Sequence, residues 1–368
     1  MSSFLQKMQD ELDTRQAQGL LRQLPTPIGE RIDFCSNDYL GFARKLRVTS
    51  PTSGGATGSR LISGNSALAE ALEQQIADFH SAEAALLFPS GYAANIGLLP
   101  AVAGRGDTIV YDKLIHASLR DGIRLSRAKA LSFVHNDLTD LVKKLQSTEG
   151  QVFVVVESVY SMDGDQAPLA AMVDICQQHG ALLIVDEAHG TGVIGKRGEG
   201  LVSALGLEDQ VWARVHTFGK AIGSHGAAIV GSQLLKSYLL NFARSFIYAT
   251  ALPEHTLLSI QAAYEALFTG SEVAILQERV RYFLANCPAC LRTALIPSTT
   301  PIQAVICPGN AQVMKLAAHL QENNLAILPI RYPTVSQGEE RLRICLHSFN
   351  TNEEIDQLLN ILAASDFV

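Results

Sequence analysis

The feature that most restricts how this chain can fold is a repeated alternation. A short apolar run is followed by a polar or glycine-rich turn, and then by a stretch with helical spacing. The clearest apolar runs are "EAALLF" (83–88), "DTIVYD" (107–112), "QVFVVVES" (151–158) and "ALLIVDEAHG" (181–190). "KALSFVHND" (129–137), "ARVHTF" and "GAAIVGS" are further strand candidates. Between them, "NSALAEALEQQIADFH" places Leu68, Leu72, Ile76 and Phe79 on one helical stripe behind Asn65 as N-cap. "LTDLVKKLQS" aligns Leu138, Leu141 and Leu145, and "PLAAMVDICQQHG" starts on Pro168 and stops at Gly180. Strands that are apolar on both faces and separated by helices predict a mostly parallel, doubly wound α/β sheet.

The texture changes near residue 266. A long polar helix pattern, "SEVAILQERVRYFLANC", precedes short pieces ending in "RLRICLHS" and the helix "NEEIDQLLNILAA". The division expected is an N-terminal helix and arm (1–39), a large domain (40–265) and a small α+β domain (266–368). The polar opening "MSSFLQKMQDELDTRQAQGLLRQ" reads as a helix that completes the small domain, not as a signal peptide.

Charge and hydropathy narrow the function. A net charge of −7 argues against an electrostatic grip on nucleic acid or acidic lipid. The longest apolar neighbourhood is broken by Pro89, Gly91, Asn95 and Pro100, so no membrane span is expected. The six cysteines fit reduced core thiols in a cytoplasmic protein better than a disulfide framework.

Three familiar patterns fail on inspection. Gly190, Gly192 and Gly195 spell G-x-G-x-x-G, but Gly198 and Gly200 follow where a dinucleotide site needs a helix to open. Gly190 to Lys196 spells a phosphate loop, yet Arg197 stands where a magnesium-binding hydroxyl is required, and "DEAH" lies directly upstream with no room for a motor fold. "CPAC" (287–290) has no nearby partners for a structural zinc, and no metal site is expected.

Another stretch asks for an occupant. "HTFGKAIGSHGA" (216–227) surrounds Lys220 with Thr217, Gly219, Ala221, Gly223, Ser224, Gly226 and Ala227. Small neighbours leave room for something flat. Pyridoxal 5′-phosphate needs a lysine amine for an imine, an acid at its ring nitrogen, polar groups at its phenolate oxygen, and amides with hydroxyls at its phosphate. Each has a candidate at the end of a different strand, where open α/β sheets bind ligands. Asp186 closes "ALLIVD", and His189 lies three residues on. Ser161 follows the strand ending near Glu157, and His116 follows "DTIVYD". "SGYAAN" opens a helix with the amides of Gly91 and Tyr92, and Thr217 adds a hydroxyl. Each residue alone has an ordinary structural explanation; the inference rests on their joint occurrence in order.

With these residues in place, the chain resembles the α-oxoamine synthases, pyridoxal-phosphate enzymes of the aminotransferase-like fold type I. The resemblance runs nearly end to end through "FCSNDYLGF", "TGSRLISGN", "PSGYAAN", "IHASL", "YSMDGD", "VDEAHGTGVIGKRGEG", "HTFGKAIGSHGAA", "FIYATALP", "PIRYPTV" and "RLRIC". It implies that Lys220 carries the imine, Asp186 faces the ring nitrogen and His116 stacks on the ring. His189 and Ser161 would bind the phenolate oxygen, and Gly91, Tyr92 and Thr217 the phosphate. Thr250 would reach in from a second subunit of a homodimer with shared sites. Arg343, helped by Asn37, would pair with the amino-acid carboxylate; Arg22, Arg331 and Thr334 would lie near the acyl end, and Glu157 matches a further site position. The reaction implied is a decarboxylating condensation of an amino acid with an acyl thioester. The nearest branch joins L-alanine to pimeloyl-CoA or pimeloyl-acyl carrier protein. Glycine- and serine-using members, or a silent partner subunit, are the rivals. One departure stands out: "ARKLRVTSPT" is about ten residues shorter than the family pattern between "NDYLGF" and "SGGATGSR".

Overall fold

The computed structural model describes residues 3–22, 24, 27–48 and 53–365. Residues 49–52 of the shortened segment lie outside the described residues.

A two-residue strand, β1 (Ile32–Asp33), precedes the main sheet. That sheet has seven strands: β2 (Ala84–Phe88), β3 (Thr108–Asp112), β4 (Lys129–Phe133), β5 (Val152–Glu157), β6 (Leu182–Asp186), β7 (Ala213–Thr217) and β8 (Ala227–Gly231). Their spatial order is β2-β8-β7-β6-β5-β3-β4. Four adjacent pairs, from β7 through β6, β5 and β3 to β4, are parallel, as the alternation predicts. β8 runs against both of its neighbours. The reason is local: only residues 218–226 separate β7 from β8, too few for the crossover that parallel strands require. That tight connection carries Lys220.

The strand order reverses beside β3. β4 lies on its outer side, while β5 through β8 extend the other way. Connections leaving adjacent strands diverge at such a point and open a crevice at the strand C-termini. The strands around it are fully buried: all six residues of β5 and all five of β7 are inside. Helices Gly91–Val102 and Ala117–Ser126 pack Leu98, Leu99 and Leu119 onto Val154 and Ile184 of the sheet core.

The helix Ala67–Phe79 starts one residue later than expected, on Ser66. The Ser66 hydroxyl accepts from Ala69 N–H at 3.2 Å. Asn65 instead bonds Arg60 at 2.7 Å and Glu70 at 2.6 Å. Two adjacent residues were each competent caps, and the competing side-chain partners decided between them.

The helix Glu254–Thr269 runs through the change of texture at residue 266. Beyond it, β9 (Ile302–Ile306), β11 (Leu328–Ile330) and β12 (Arg341–Cys345) form an antiparallel sheet in the order β11-β12-β9, while β10 (Leu325–Ala326) pairs with β1. Phe34 joins Val280, Leu316, Leu342 and Leu358 in a separate apolar cluster. The N-terminal helix Ser3–Ala17 buries no residue; the arm after it supplies the packing. Cys345 N–H donates to Phe34 O and Ser348 N–H to Tyr39 O, both at 2.8 Å, which fixes residues 34–39 beside β12. All six cysteines are free thiols, and within "CPAC" Cys287 is buried and Cys290 exposed. Among the described residues no helix is long and apolar enough to cross a membrane, and no group of His, Cys, Asp or Glu could hold a metal.

The loop after β5 is anchored by charge. His135 sits 3.0 Å from Asp112 and 2.8 Å from Asp165. Burial alone would push its imidazole down, but the two carboxylates outweigh it and raise it to about 9. A folded-state value above the unfolded one means stabilisation that is complete below about pH 6.5 and lost as pH rises through about 9. Denaturant titrations at pH 6.5 and 9.5 are therefore expected to differ by a few kcal/mol more for the wild type than for His135→Gln. Equal pH sensitivity of the two proteins would contradict this role.

Candidate active site

The crevice gathers side chains from the ends of β3, β5, β6 and β7. Asp186, the last residue of β6, is 5% exposed. It accepts from Asn95 Nδ2 at 2.8 Å and from Ala188 N–H at 2.9 Å. Asn95 Nδ2 also donates to Ser118 Oγ at 2.9 Å, and Ser118 Oγ lies 2.7 Å from His116 Nδ1. Asp186 and His116 are thereby linked through two buried polar side chains. His116 caps the helix Ala117–Ser126: its Nδ1 accepts from Ser118 N–H at 3.2 Å, so a neutral ring carries its hydrogen on Nε2. Burial lowers the His116 imidazole, which favours that neutral form. Its backbone N–H donates to the carboxylate of Glu157 at the end of β5. Burial, and then the nearby Asp186, raise the Glu157 carboxyl.

Lys220 lies in the β7–β8 connection. Burial depresses its ammonium, opposed by Asp186 and Glu157. Its amine makes no hydrogen bond or ion pair among the described residues. Close backbone packing explains the small residues around it. Gly223 has φ 65°, and a Cβ there would sit 2.3 Å from Ala43 N. Gly192 has φ 75°, and its Cβ would meet Ala221 Cβ at 2.5 Å. The glycine-rich loop 190–200 thus packs under the lysine loop, and no helix opens before Leu201.

Two adjoining cavities share Lys220, His116 and His189. The first, of about 450 Å³, adds Gly91, Tyr92, Glu157, Asp186 and Thr217 to these three. The second, of about 620 Å³, adds Asn37, Ser161 and Arg343. Arg343, on β12, donates from Nε to Ser161 O at 2.5 Å and from Nη2 to Asn37 Oδ1 at 3.0 Å.

The first cavity suits a phosphate-bearing aldehyde ring. The Lys220 amine is free to condense. The Asp186 carboxylate is fixed by two donors and retains lone pairs for a cationic nitrogen. The amides of Gly91 and Tyr92 open a 12-residue helix and find no acceptor within the described residues. A Cβ on Gly91 would crowd the Thr217 hydroxyl at 3.2 Å, so the absent side chain leaves that corner open.

Other expected residues stand elsewhere. Thr250 lines a separate pocket with Arg60 and Gly64, and neither of the two cavities beside Lys220. Arg22 is exposed, Arg331 donates to Gly19 O at 3.0 Å, and Thr334 is exposed in the turn after Tyr332–Pro333. Asn95, Ser118 and Tyr39 were missed. Asn95 stands four residues after Gly91, on the same face of the helix, and that polar interruption of an apolar run was its only signal.

The sequence matches the aminotransferase class I and II family over residues 30–362, and the chain belongs to that family. Its architecture is the aminotransferase-like fold type I. It is 40% identical over 375 residues to 8-amino-7-oxononanoate synthase of Marinobacter nauticus, covering 96% of this chain and 95% of that protein. A solved 8-amino-7-oxononanoate synthase from Francisella tularensis is 29% identical with a TM-score of 0.79, covering 90% of this chain and 97% of the other. A serine palmitoyltransferase from S. paucimobilis, solved with a PLP–myriocin adduct, is 27% identical with a TM-score of 0.88, covering 98% and 97%.

Proposed function

We propose that this chain is a pyridoxal-phosphate-dependent acyltransferase. It condenses L-alanine with a pimeloyl thioester and releases carbon dioxide to give 8-amino-7-oxononanoate, a step of biotin formation. The observation that carries the reading is the shared position of Lys220. One cavity beside it fits the cofactor, and the other presents the Arg343 guanidinium, whose planar fork suits an amino-acid carboxylate.

Pyridoxal phosphate, when bound, supplies an aldehyde for condensation with amines and a ring that takes up negative charge. The protein's part is positional and acid–base. Gly91 and Tyr92 amides with the Thr217 hydroxyl would hold the phosphate, and Asp186 would keep the ring nitrogen protonated. Lys220, its amine eased toward the neutral form by burial, takes the α-proton of alanine and later returns a proton to the same carbon. Arg343 and Asn37 hold the alanine carboxylate until it departs. His116, with its hydrogen on Nε2, polarises the thioester carbonyl as the carbon–carbon bond forms and the thiol leaves. Ser161, His189 and Glu157 complete the surroundings of the ring, and Arg22, Arg331 and Thr334 would meet the acyl portion. A cytoplasmic homodimer is part of the reading: Thr250 lines neither cavity of its own chain's cleft, and Ile62, Leu234 and Tyr248 are 85%, 79% and 73% exposed.

The close structural likeness to serine palmitoyltransferase keeps a serine-using reaction as the second reading. A panel of alanine, glycine and serine crossed with pimeloyl, succinyl, acetyl and palmitoyl thioesters separates them by thiol release. Alanine with pimeloyl-CoA or pimeloyl-acyl carrier protein is expected to give the highest kcat/KM. A higher value for serine with palmitoyl-CoA would replace this assignment.

A further inference from the structure

Arg343 and His189 line the same cavity from chain segments far apart in sequence, and one hydroxyl touches both. Tyr39 is 1% exposed, and its ring stacks on His347 with centroids 6.4 Å apart. Its hydroxyl lies 2.8 Å from His189 Nδ1, 3.1 Å from Asn37 Oδ1 and 3.4 Å from Arg343 Nη2. A phenol has one proton to give. Arg343 can only donate and Asn37 Oδ1 can only accept, so that proton goes to Asn37 or to His189. Asn37 Oδ1 already receives Arg343 Nη2–H at 3.0 Å, and the contact to the imidazole is the shorter of the two. Burial, with Lys220 and Arg343 adding to it, holds the His189 imidazole well below its ordinary value, so the ring is neutral and carries a single N–H.

We propose that Tyr39 is a positioning residue that sets the proton of His189: its hydroxyl donates to Nδ1, which leaves the ring hydrogen on Nε2. Nε2 has no hydrogen-bond partner among the described residues, and His189 lines both cavities beside Lys220. The cavity therefore receives a neutral donor, suited to an anionic oxygen. The opposite tautomer would present a lone pair and repel such an oxygen. That the oxygen belongs to a pyridoxal ring rests on the function proposed above; the location of the proton does not. Neither the spacing of "SNDYLG" nor that of "DEAHGTG" indicates this contact, because 150 residues separate its two ends.

The test reads the histidine nitrogens directly. Cofactor-free protein labelled with 15N-histidine would be compared with Tyr39→Phe, which keeps the ring and loses the hydroxyl. His189→Gln identifies the His189 signals. The wild type is expected to show hydrogen on Nε2 and the shift of a hydrogen-bonded Nδ1. In Tyr39→Phe that Nδ1 shift is expected to move to the unbonded position, and pyridoxal phosphate to bind roughly two- to tenfold more weakly. Hydrogen on Nδ1 in the wild type, a wild-type Nδ1 at the unbonded position, or an unchanged Nδ1 in Tyr39→Phe overturns the proposal. If Tyr39→Phe fails to fold, the two wild-type nitrogen shifts decide. The cofactor-free spectrum is independent of which amino acid and thioester react, so failure of the substrate panel and failure of this inference are distinguishable.

Discussion

Lys220→Ala is expected to end covalent capture of pyridoxal phosphate: after borohydride treatment the intact mass of the variant should equal that of the chain alone. The expectation follows from the loop between β7 and β8, where the amine is buried and lowered in basicity. Turnover should fall by about 10²–10⁴-fold or more, because the same amine serves as the general base. Fold and cofactor cavity should survive, since among the described residues Lys220 makes no hydrogen bond or ion pair to lose. Retention of cofactor mass on the variant would assign the attachment to a different lysine, and the roles built around Lys220 would go with it.

Asp186→Asn is expected to separate binding from chemistry. The side chain keeps its size, but a carboxamide cannot accept from both Asn95 Nδ2 and Ala188 N–H while also facing a protonated ring nitrogen. Borohydride should still fix the cofactor to Lys220, while kcat falls by about 10²–10³-fold from the lost stabilisation of charge at the ring. The visible spectrum of the loaded variant should change in its dependence on pH. Turnover within tenfold of wild type would remove Asp186 from the acid–base assignment. Part of any loss in stability comes from a second source, because Asn95 already has one buried oxygen with no partner among the described residues and would be left with a poorer neighbour.

These two residues show what kind of information a sequence carries. Asp186 and Lys220 could be found because each is conspicuous against its own few neighbours, as a carboxylate ending an apolar strand and a lysine among glycines. The same local contrast exposed His116, His189 and the "PSG" turn. Asn95 and Tyr39 stand out much less, since an asparagine in a helix and a tyrosine in a turn have many ordinary uses. Their importance comes from contacts with residues 91 and 150 positions away.

The small domain makes the same point at larger scale. Arg343 of "RLRIC" is legible as a cation and Asn37 as polar, but their 3.0 Å contact spans 306 residues. It exists because β1 pairs with β10 and because residues 34–39 lie along β12. Likewise, the sequence pointed to Asn65 as the cap of the helix Ala67–Phe79, but Asn65 is held by the salt-bridged Arg60 and the cap falls on Ser66.

By itself, the sequence determined the strands, their mostly parallel packing and the chemical identity of the groups at their ends. Apolar period and strand-end polarity are short-range properties, legible within a few residues. Tertiary structure alone decided which of those groups meet, and it supplied the buried asparagine and tyrosine that aim the acid and the imidazole. Such contacts depend on how long chain segments close on one another, and no local pattern encodes that closure.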